Sequence, residues 1–368
     1  MKVSIVKCDS YAQKKVDQAV EESLNLIGFK FKKGMKVLLK PNLLAPFKPE
    51  CNVTTHPSIL IALCKLLKKE NAKIFIGDSP GYPNTKRTFE ICGMVDVANE
   101  YCAELSDFNS LNSIKFENKN NKVLKEVNLP EVINKVNLII NLPKLKTHVF
   151  MKYTGAVKNL YGFIIGGKKG YYHLMTRTEK KFAEMLIDLH DFVKPQLTVM
   201  DAVIGMEGNG PASGMLKQTG LILASEDCTA LDIVASGIIG YKPEDILTIS
   251  EAKERGFDHK IEKVGLTDVK VLYKKPFRLH QKILPQFILN WAYRPRIRIN
   301  NQKCKKCLIC YKQCPTKAIK MEKNILRINP KKCIRCYCCH EICPSHAIDI
   351  KYSFFIRYGR KLLELLQY

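Results

Sequence analysis

Cys304, Cys307, Cys310 and Cys314 stand at the spacing C-x2-C-x2-C-x3-C, with Pro315 directly behind them. Cys333, Cys336, Cys339 and Cys343 repeat that spacing before Pro344, each thiol recurring 29 residues later. Three thiolates on one tight loop and a fourth close by are the soft, anionic donors, converging from several sides, that a cubane iron–sulfur cluster needs. Paired C-x2-C runs also build four-cysteine zinc sites, but a duplicated x2, x2, x3 run ending in Pro argues against zinc. Disulfides are less expected still, because eight crowded thiols in a chain that reads as lacking an export signal point to a reducing compartment.

The stretch from about Asn301 to Ile350 resembles the bacterial two-cluster ferredoxin. In that family the fourth cysteine of each run ligates the other cluster. The resemblance therefore implies two 4Fe-4S clusters, one on Cys304, Cys307, Cys310 and Cys343, the other on Cys333, Cys336, Cys339 and Cys314. Cys338 breaks the register and is expected to stay unligated. Cys8, Cys51, Cys64, Cys92, Cys102 and Cys228 show no ligand spacing and read as small buried hydrophobes.

A second set of candidates lies in four polar segments, each expected to follow a strand: Lys40-Pro41-Asn42, Gly77-Asp78-Ser79-Pro80-Gly81, Pro143-Lys144-Leu145-Lys146-Thr147-His148, and Asp201 running on to Glu207-Gly208-Asn209-Gly210-Pro211. Open parallel sheets bind ligands beyond the carboxyl ends of their strands, so the four segments are expected to converge on one crevice. Lys40, Lys144, Lys146 and Lys158, with Asn42, suit an anionic substrate. Asp78, Asp201 and Glu207 offer acid/base groups or a divalent-cation site, and His56 and His148 offer proton transfer near neutral pH. Each segment also has a bland reading as a turn or a solvated lysine.

Lys-Pro-Asn-Leu-Leu at 40–44, Thr-His-Pro at 55–57, Gly-Asp-Ser-Pro-Gly at 77–81, Pro-Lys-Leu-Lys-Thr-His at 143–148, Thr-Gly-Ala-Val-Lys-Asn-Leu-Tyr-Gly at 154–162 and Asp-Ala-Val-Ile-Gly-Met-Glu-Gly at 201–208 carry a further resemblance. Together they are similar to the family catalogued as domain of unknown function 362, over most of residues 1–270. That family is frequently followed by a two-cluster ferredoxin module. The resemblance implies a fold and names no reaction.

Two motifs fail. Gly162 to Lys169 nearly fits the phosphate-binding G-x4-G-K-[ST] loop, but Lys169 stands where a hydroxyl residue belongs. Gly208-Asn209-Gly210 does not complete G-x-G-x-x-G, because Ser213 replaces the third glycine.

The elements that must position these groups follow from periodicity. Short apolar β-branched runs alternating with helical patterns predict an α/β domain with a mainly parallel sheet and flanking helices over 1–275. Strands are expected at Val3–Val6, Lys36–Leu39, Lys73–Ile76, Val136–Leu142, Leu197–Met200, Leu221–Ala224 and Asp268–Tyr273. Helices are expected at Ala12–Leu26, Pro57–Lys69, Thr85–Tyr101, Glu179–Phe192, Ala230–Ile239 and Pro243–Arg255, with a hairpin or loop insertion at Asn109–Val127. A connector (276–300), a small α+β two-cluster ferredoxin-like domain (301–350) and an amphipathic tail helix (351–368) complete the plan.

The chain has 368 residues, is 46% hydrophobic and carries a net charge of +25. Residues 276–368 hold 20 Lys+Arg against 4 Asp+Glu, so the ferredoxin module presents a positive face even after its clusters are counted. The partner expected there is an acidic low-potential electron carrier, a ferredoxin or flavodoxin. Nucleic acid is not favoured, because no nucleic-acid-binding motif accompanies the charge, and the tail is expected to dock on the protein rather than on a membrane surface. With no signal peptide read at Met1–Ser10 and no bilayer-length apolar run, the expected location is cytoplasmic. The sequence thus predicts a ferredoxin-linked reductase acting on an anionic small molecule. An electron carrier docked on a larger redox complex is the alternative.

Overall fold

The structure is a computed structural model that describes residues 1–276 and 296–351. Residues 277–295 of the expected connector, and the expected tail helix from 352 onward, lie outside the described residues.

The first part is built on strands β1 (Lys2–Lys7), β2 (Lys36–Pro41), β3 (Lys73–Asp78), β4 (Glu104–Asp107), β5 (Ser113–Glu117), β6 (Glu126–Pro130), β7 (Leu138–Leu142), β8 (Lys144–His148), β9 (Lys152–Thr154), β10 (Leu197–Glu207), β11 (Met215–Ser225) and β12 (Glu262–Gly265). They form one sheet in the order β12-β1-β11-β10-β7-β2-β3-β4, with β8 and β9 attached to β10, while β5 and β6 make a separate hairpin inside the expected insertion. From β10 to β4 every neighbouring pair is parallel. The strands β1 and β10 flank β11 antiparallel.

Alternation along each strand explains the two layers. Val37 and Leu39 of β2 pack with helices 13–27 and 57–69, while Leu38 between them packs with helices 179–193 and 228–238 on the other face. This is the two-residue period of a strand buried on both sides. Each fully buried Leu or Ile contributes about 1.5–3 kcal/mol relative to exposure, so the apolar layers, rather than the polar edge, hold the sheet together.

The structure corrects several expectations. The single helix over Thr85–Tyr101 is two, Thr85–Ile91 and Met94–Glu100, because Gly93 takes a left-handed φ of 75° between them. Asp268–Tyr273 is not a strand: the edge position belongs to β12, and the N–H groups of Val271 and Tyr273 instead bond Ile238 O and Ile239 O at the end of helix 228–238. Two segments expected as loops beyond strands are themselves strands. Lys144–His148 is fully buried as β8, and β10 runs through Asp201 to Glu207. Of the six cysteines read as buried hydrophobes, Cys51 and Cys102 are exposed.

The second part pairs β13 (Arg296–Ile299) with β16 (Ile348–Lys351), and β14 (Ile319–Glu322) with β15 (Ile325–Ile328), both antiparallel. The first ladder draws in residues of the expected connector. The chain's two parts touch through Ser213 Oγ and His346 Nδ1 at 3.1 Å and through stacked Phe47 and His346.

Gly77 in β3 has no room for a side chain, since a Cβ there would overlap the Phe108 ring. Gly77→Ala is expected to lower the urea midpoint at unchanged slope, by the equivalent of about 1–3 kcal/mol. A midpoint equal to the parent's would show that Phe108 moves aside freely.

Candidate functional site

The two cysteine loops fold as copies of each other. Short helices Ile309–Lys312 and Cys338–Glu341 each follow a left-handed residue, Leu308 at φ 60° and Tyr337 at φ 62°. The same offset recurs in the left-handed pairs Lys306 and Arg335, and Lys317 and His346. Cys304, Cys307, Cys310 and Cys343 surround one small cavity, while Cys314 stands near Cys333 and Cys339. The fourth cysteine of each run therefore stands with the other run's three. Burial and the neighbouring Cys343, Cys307 and Cys304 push the Cys310 thiol up to about 12, as expected where thiols crowd together. Ala318 N–H donates to Cys314 Sγ at 3.2 Å and Ala347 N–H to Cys343 Sγ at 3.3 Å. Such N–H···S bonds are among the contacts that tune cluster sulfurs. The donor chemistry suits two 4Fe-4S clusters on the ligand sets that the ferredoxin resemblance implies.

At the carboxyl edge of the sheet, β2 lies between β3 and β7, the point at which the strand order reverses. Lys40, near the end of β2, puts Nζ 2.9 Å from Asp78 Oδ1 at the end of β3, and both side chains are buried. Asp78 also accepts Leu43 N–H and Ser79 N–H, each at 2.9 Å, so it fixes both strand-end loops. Burial holds the Lys40 ammonium below its ordinary range, with Asp78 opposing that shift. Gly162 packs its Cα against this pair, where a Cβ would overlap Asp78 Oδ1 and Lys40 Nζ.

Beside the pair opens a cavity of about 340 Å³. Lys40, Asn42, Asp78, Asn159, Lys158, Lys169 and His173 line it from the α/β side, and Gln313, Cys338, Glu341 and Ile342 close it from the cluster module. Asn159 links Asn42 and Asn141 by hydrogen bonds of 3.1 and 2.8 Å. Lys169 Nζ donates to Ile164 O at 2.6 Å and to Ser79 O and Oγ. It meets no carboxylate among the described residues, and burial depresses it to about 7. Lys146 is also depressed to about 7 by burial and by Lys158; its Nζ reaches only Asn42 Oδ1 and Val53 O, each at 2.8 Å. Lys158 is carried on the short helix Ala156–Asn159, whose first N–H groups, from Ala156 and Val157, bond Asp232 at 2.7 and 3.0 Å. His148 Nδ1 accepts Phe150 N–H at 3.0 Å, which leaves its ring proton on Nε2, 3.1 Å from Glu341 Oε1. Burial lowers His148 to about 4, so it is neutral at pH 7.

The expected site residues therefore divide. Lys40, Asn42, Asp78 and Lys158 reach the cavity wall, while Lys146 and His148 stand behind it, against Asn42 and Glu341. The rest are elsewhere. Lys144 and Asp201 form a fully buried ion pair at 2.9 Å, to which Tyr11 OH donates at Asp201 Oδ1. His56 caps helix 57–69 through Nδ1 and stacks on Tyr11. Glu207 accepts Lys274 N–H at 2.9 Å. For Lys144, Asp201 and Glu207 the reason is that β8 and β10 continue as strands past the edge, and for His56 that it is held as a helix cap. Asp78, Asp201 and Glu207 share no cation site, and no cluster of three such ligands for a single ion occurs among the described residues. Sequence reading missed Asn159, Lys169, His173, Glu341 and the supporting Asp232.

Two family models match the two parts of the chain. A family described as "Domain of unknown function (DUF362)" matches residues 37–237, and a "4Fe-4S dicluster domain" matches residues 296–344. A thylakoid-associated protein of Synechocystis sp. is 30% identical over 260 residues, covering 70% of this chain and 80% of that protein. The lactate racemase apoprotein of Thermoanaerobacterium thermosaccharolyticum superposes with a TM-score of 0.41 at 13% identity, over 61% of this chain and 53% of its own length.

Cys343→Ser is expected to lower bound iron and labile sulfide by about half, whereas Cys338→Ser keeps the parent's content. Iron loss in the Cys338 variant would mean that the ligand sets are drawn wrongly.

Proposed function

The chain belongs to the DUF362 family and carries a 4Fe-4S dicluster domain, and from that premise we propose that it is a reductase for an anionic small molecule bound in the cavity between the two. The observation that carries this reading is a set of three lysines without an ion pair among the described residues, Lys146 buried and Lys158 and Lys169 half-buried. Lys146 and Lys169, both at about 7, have no carboxylate partner among the described residues, and Lys158 has neither a hydrogen bond nor an ion pair there. A buried ammonium without a counter-charge is costly, and an incoming anion relieves that cost.

The clusters, when bound, supply single electrons at low potential. This chain's own residues hold the substrate and handle protons. Lys158 binds and polarises the anion, with the Lys169 charge behind it, Asn42 and Asn159 orient it, and lysines poised near neutrality give up protons, while Asp78 and Asp201 are committed to ion pairs. On the outer side of the module, Lys303, Lys305 and Lys306 are exposed around the exposed Cys307. That face suits an acidic low-potential carrier in the cytoplasm. No helix among the described residues is long and apolar enough to cross a membrane.

The reading is tested anaerobically. Cluster-loaded full-length protein is reduced stoichiometrically, fractionated metabolites are added, and the visible spectrum is followed. One fraction is expected to reoxidise the parent, and Lys158→Ala to respond at least tenfold more slowly at equal iron content. Equal rates would remove the cavity from the mechanism, and no reoxidation by any fraction would leave the module as a carrier for a protein partner.

A pH dependence follows for the substrate so found. An anion raises lysines that burial has lowered, so binding takes up protons at pH 8, and affinity weakens as pH rises from 7 to 9. Calorimetry in buffers of different ionisation heat measures the uptake, and a value of zero would show that Lys146 and Lys169 do not respond to the ligand's charge.

A further inference from the structure

Resting on the reading of the cavity as an anion site, we propose that its ligand carries a single negative charge, as a carboxylate or a sulfonate does, and that doubly charged acids such as phosphate monoesters are turned away. Few charges are free to meet a ligand there. Lys40 is closed off by Asp78 at 2.9 Å, with both side chains buried. Lys169 Nζ is surrounded by Ser79 O, Ser79 Oγ and Ile164 O, which engage the donors of its ammonium, so its charge acts on a ligand only from a distance. Lys146 stands behind Asn42, to whose Oδ1 it donates at 2.8 Å. Lys158 is thus the one lysine lining the cavity that has neither a hydrogen bond nor an ion pair among the described residues.

A carboxylate stands on the same wall. Glu341 lines the cavity from the cluster module, next to Lys158, and is the strongest attracting charge on it. Its Oε1 is turned to His148 Nε2 at 3.1 Å. The nearby histidines add no positive charge: burial lowers both His148 and His173 to about 4, so both are neutral at pH 7. A ligand therefore meets one ammonium with a carboxylate beside it. Its first negative charge pairs with Lys158, whereas a second finds no donor of its own and faces Glu341. An unpaired charge taken out of water is costly, and a like charge beside it adds to that cost. Leu43, Leu44, Tyr82 and Ile342 line other parts of the wall, and the volume of about 340 Å³ lies at the low end for small-molecule sites, so a short apolar body suits the rest of the ligand.

The test uses cluster-loaded full-length protein and calorimetry at pH 8 with four probes of similar length: butyrate and propanesulfonate, each singly charged, against succinate and propyl phosphate, each doubly charged. At least one singly charged probe is expected to bind about tenfold tighter or more than both doubly charged ones, and which of the two does so tells a carboxylate from a sulfonate. Lys158→Met is expected to weaken that probe about tenfold at unchanged iron content, and Glu341→Gln to bring a doubly charged probe to within about threefold of it. Should Glu341→Gln lose its clusters, the parent's ranking and the Lys158→Met result still decide. A doubly charged probe that binds the parent as tightly as the singly charged ones, or undiminished binding in Lys158→Met, overturns the single-charge assignment and leaves the anion reading standing. Binding by none of the four also overturns it, and the reoxidation experiment then judges that reading separately.

Discussion

An ammonium group taken out of water must be compensated, and the carboxyl edge of this sheet is arranged around that constraint. Lys40 and Lys144 are compensated by one carboxylate each, at 2.9 Å. The attraction within such a pair offsets desolvation only partly, while removing one partner costs about 3–5 kcal/mol. Their main effect is therefore positional. Asp78 ties Leu43 N–H and Ser79 N–H into the pair, and Asp201 ties His56 N–H at 2.9 Å. The loops leaving β2 and β3 are thus locked by two carboxylates, the first of them at both its ends.

Lys146, Lys158 and Lys169 are treated differently, and the difference separates site from scaffold. Lys146 and Lys169 rest on amide, hydroxyl and carbonyl oxygens rather than on carboxylates, and Lys158 has the Glu341 carboxylate as its nearest attracting charge. Glu341 is the acidic counterpart: burial works against its charge, yet His148 and Lys158 hold its carboxyl well below the usual range. It arrives from the other part of the chain. The charge balance of the crevice is therefore completed by the cluster module and not by the sheet.

Much of this was legible in sequence. The thiol spacing encodes the module because a 29-residue repeat of turns is visible in the cysteines themselves, and Pro57–Lys69 reads as a helix from its proline start and apolar period. The strand edges were placed correctly because Lys40 and Asp78 directly follow apolar runs. Lys144 and Asp201 were misassigned to a crevice for a physical reason: polar residues at a predicted strand end read as a loop, while the structure buries them in β8 and β10 by pairing them with each other. That pairing spans 57 positions, which no local pattern reports. His173 and Glu341 were invisible for the same reason. Gly162, Gly166 and Gly167 were a usable signal, since a glycine-rich run that fails as a nucleotide loop still marks close backbone approach, to Lys40 and Asp78 at one end and to the cavity at the other.

The helix Cys338–Glu341 has four residues, and its brevity is what joins cofactor to cavity. Residues three apart lie on one face of a helix, so Cys338 and Glu341 both line the cavity, while Cys339 between them turns towards Cys333 and Cys314. A helix of one turn has almost no stability of its own, because nucleation costs more than one turn returns. It persists only if something fixes it. Ligation at Cys336, Cys339 and Cys343 would clamp it on one side, and the contact of Glu341 with His148 holds it on the other. Loading the cluster site would therefore also shape the cavity wall. That coupling gives the fusion of these two parts a physical purpose beyond bringing a redox centre near a binding site.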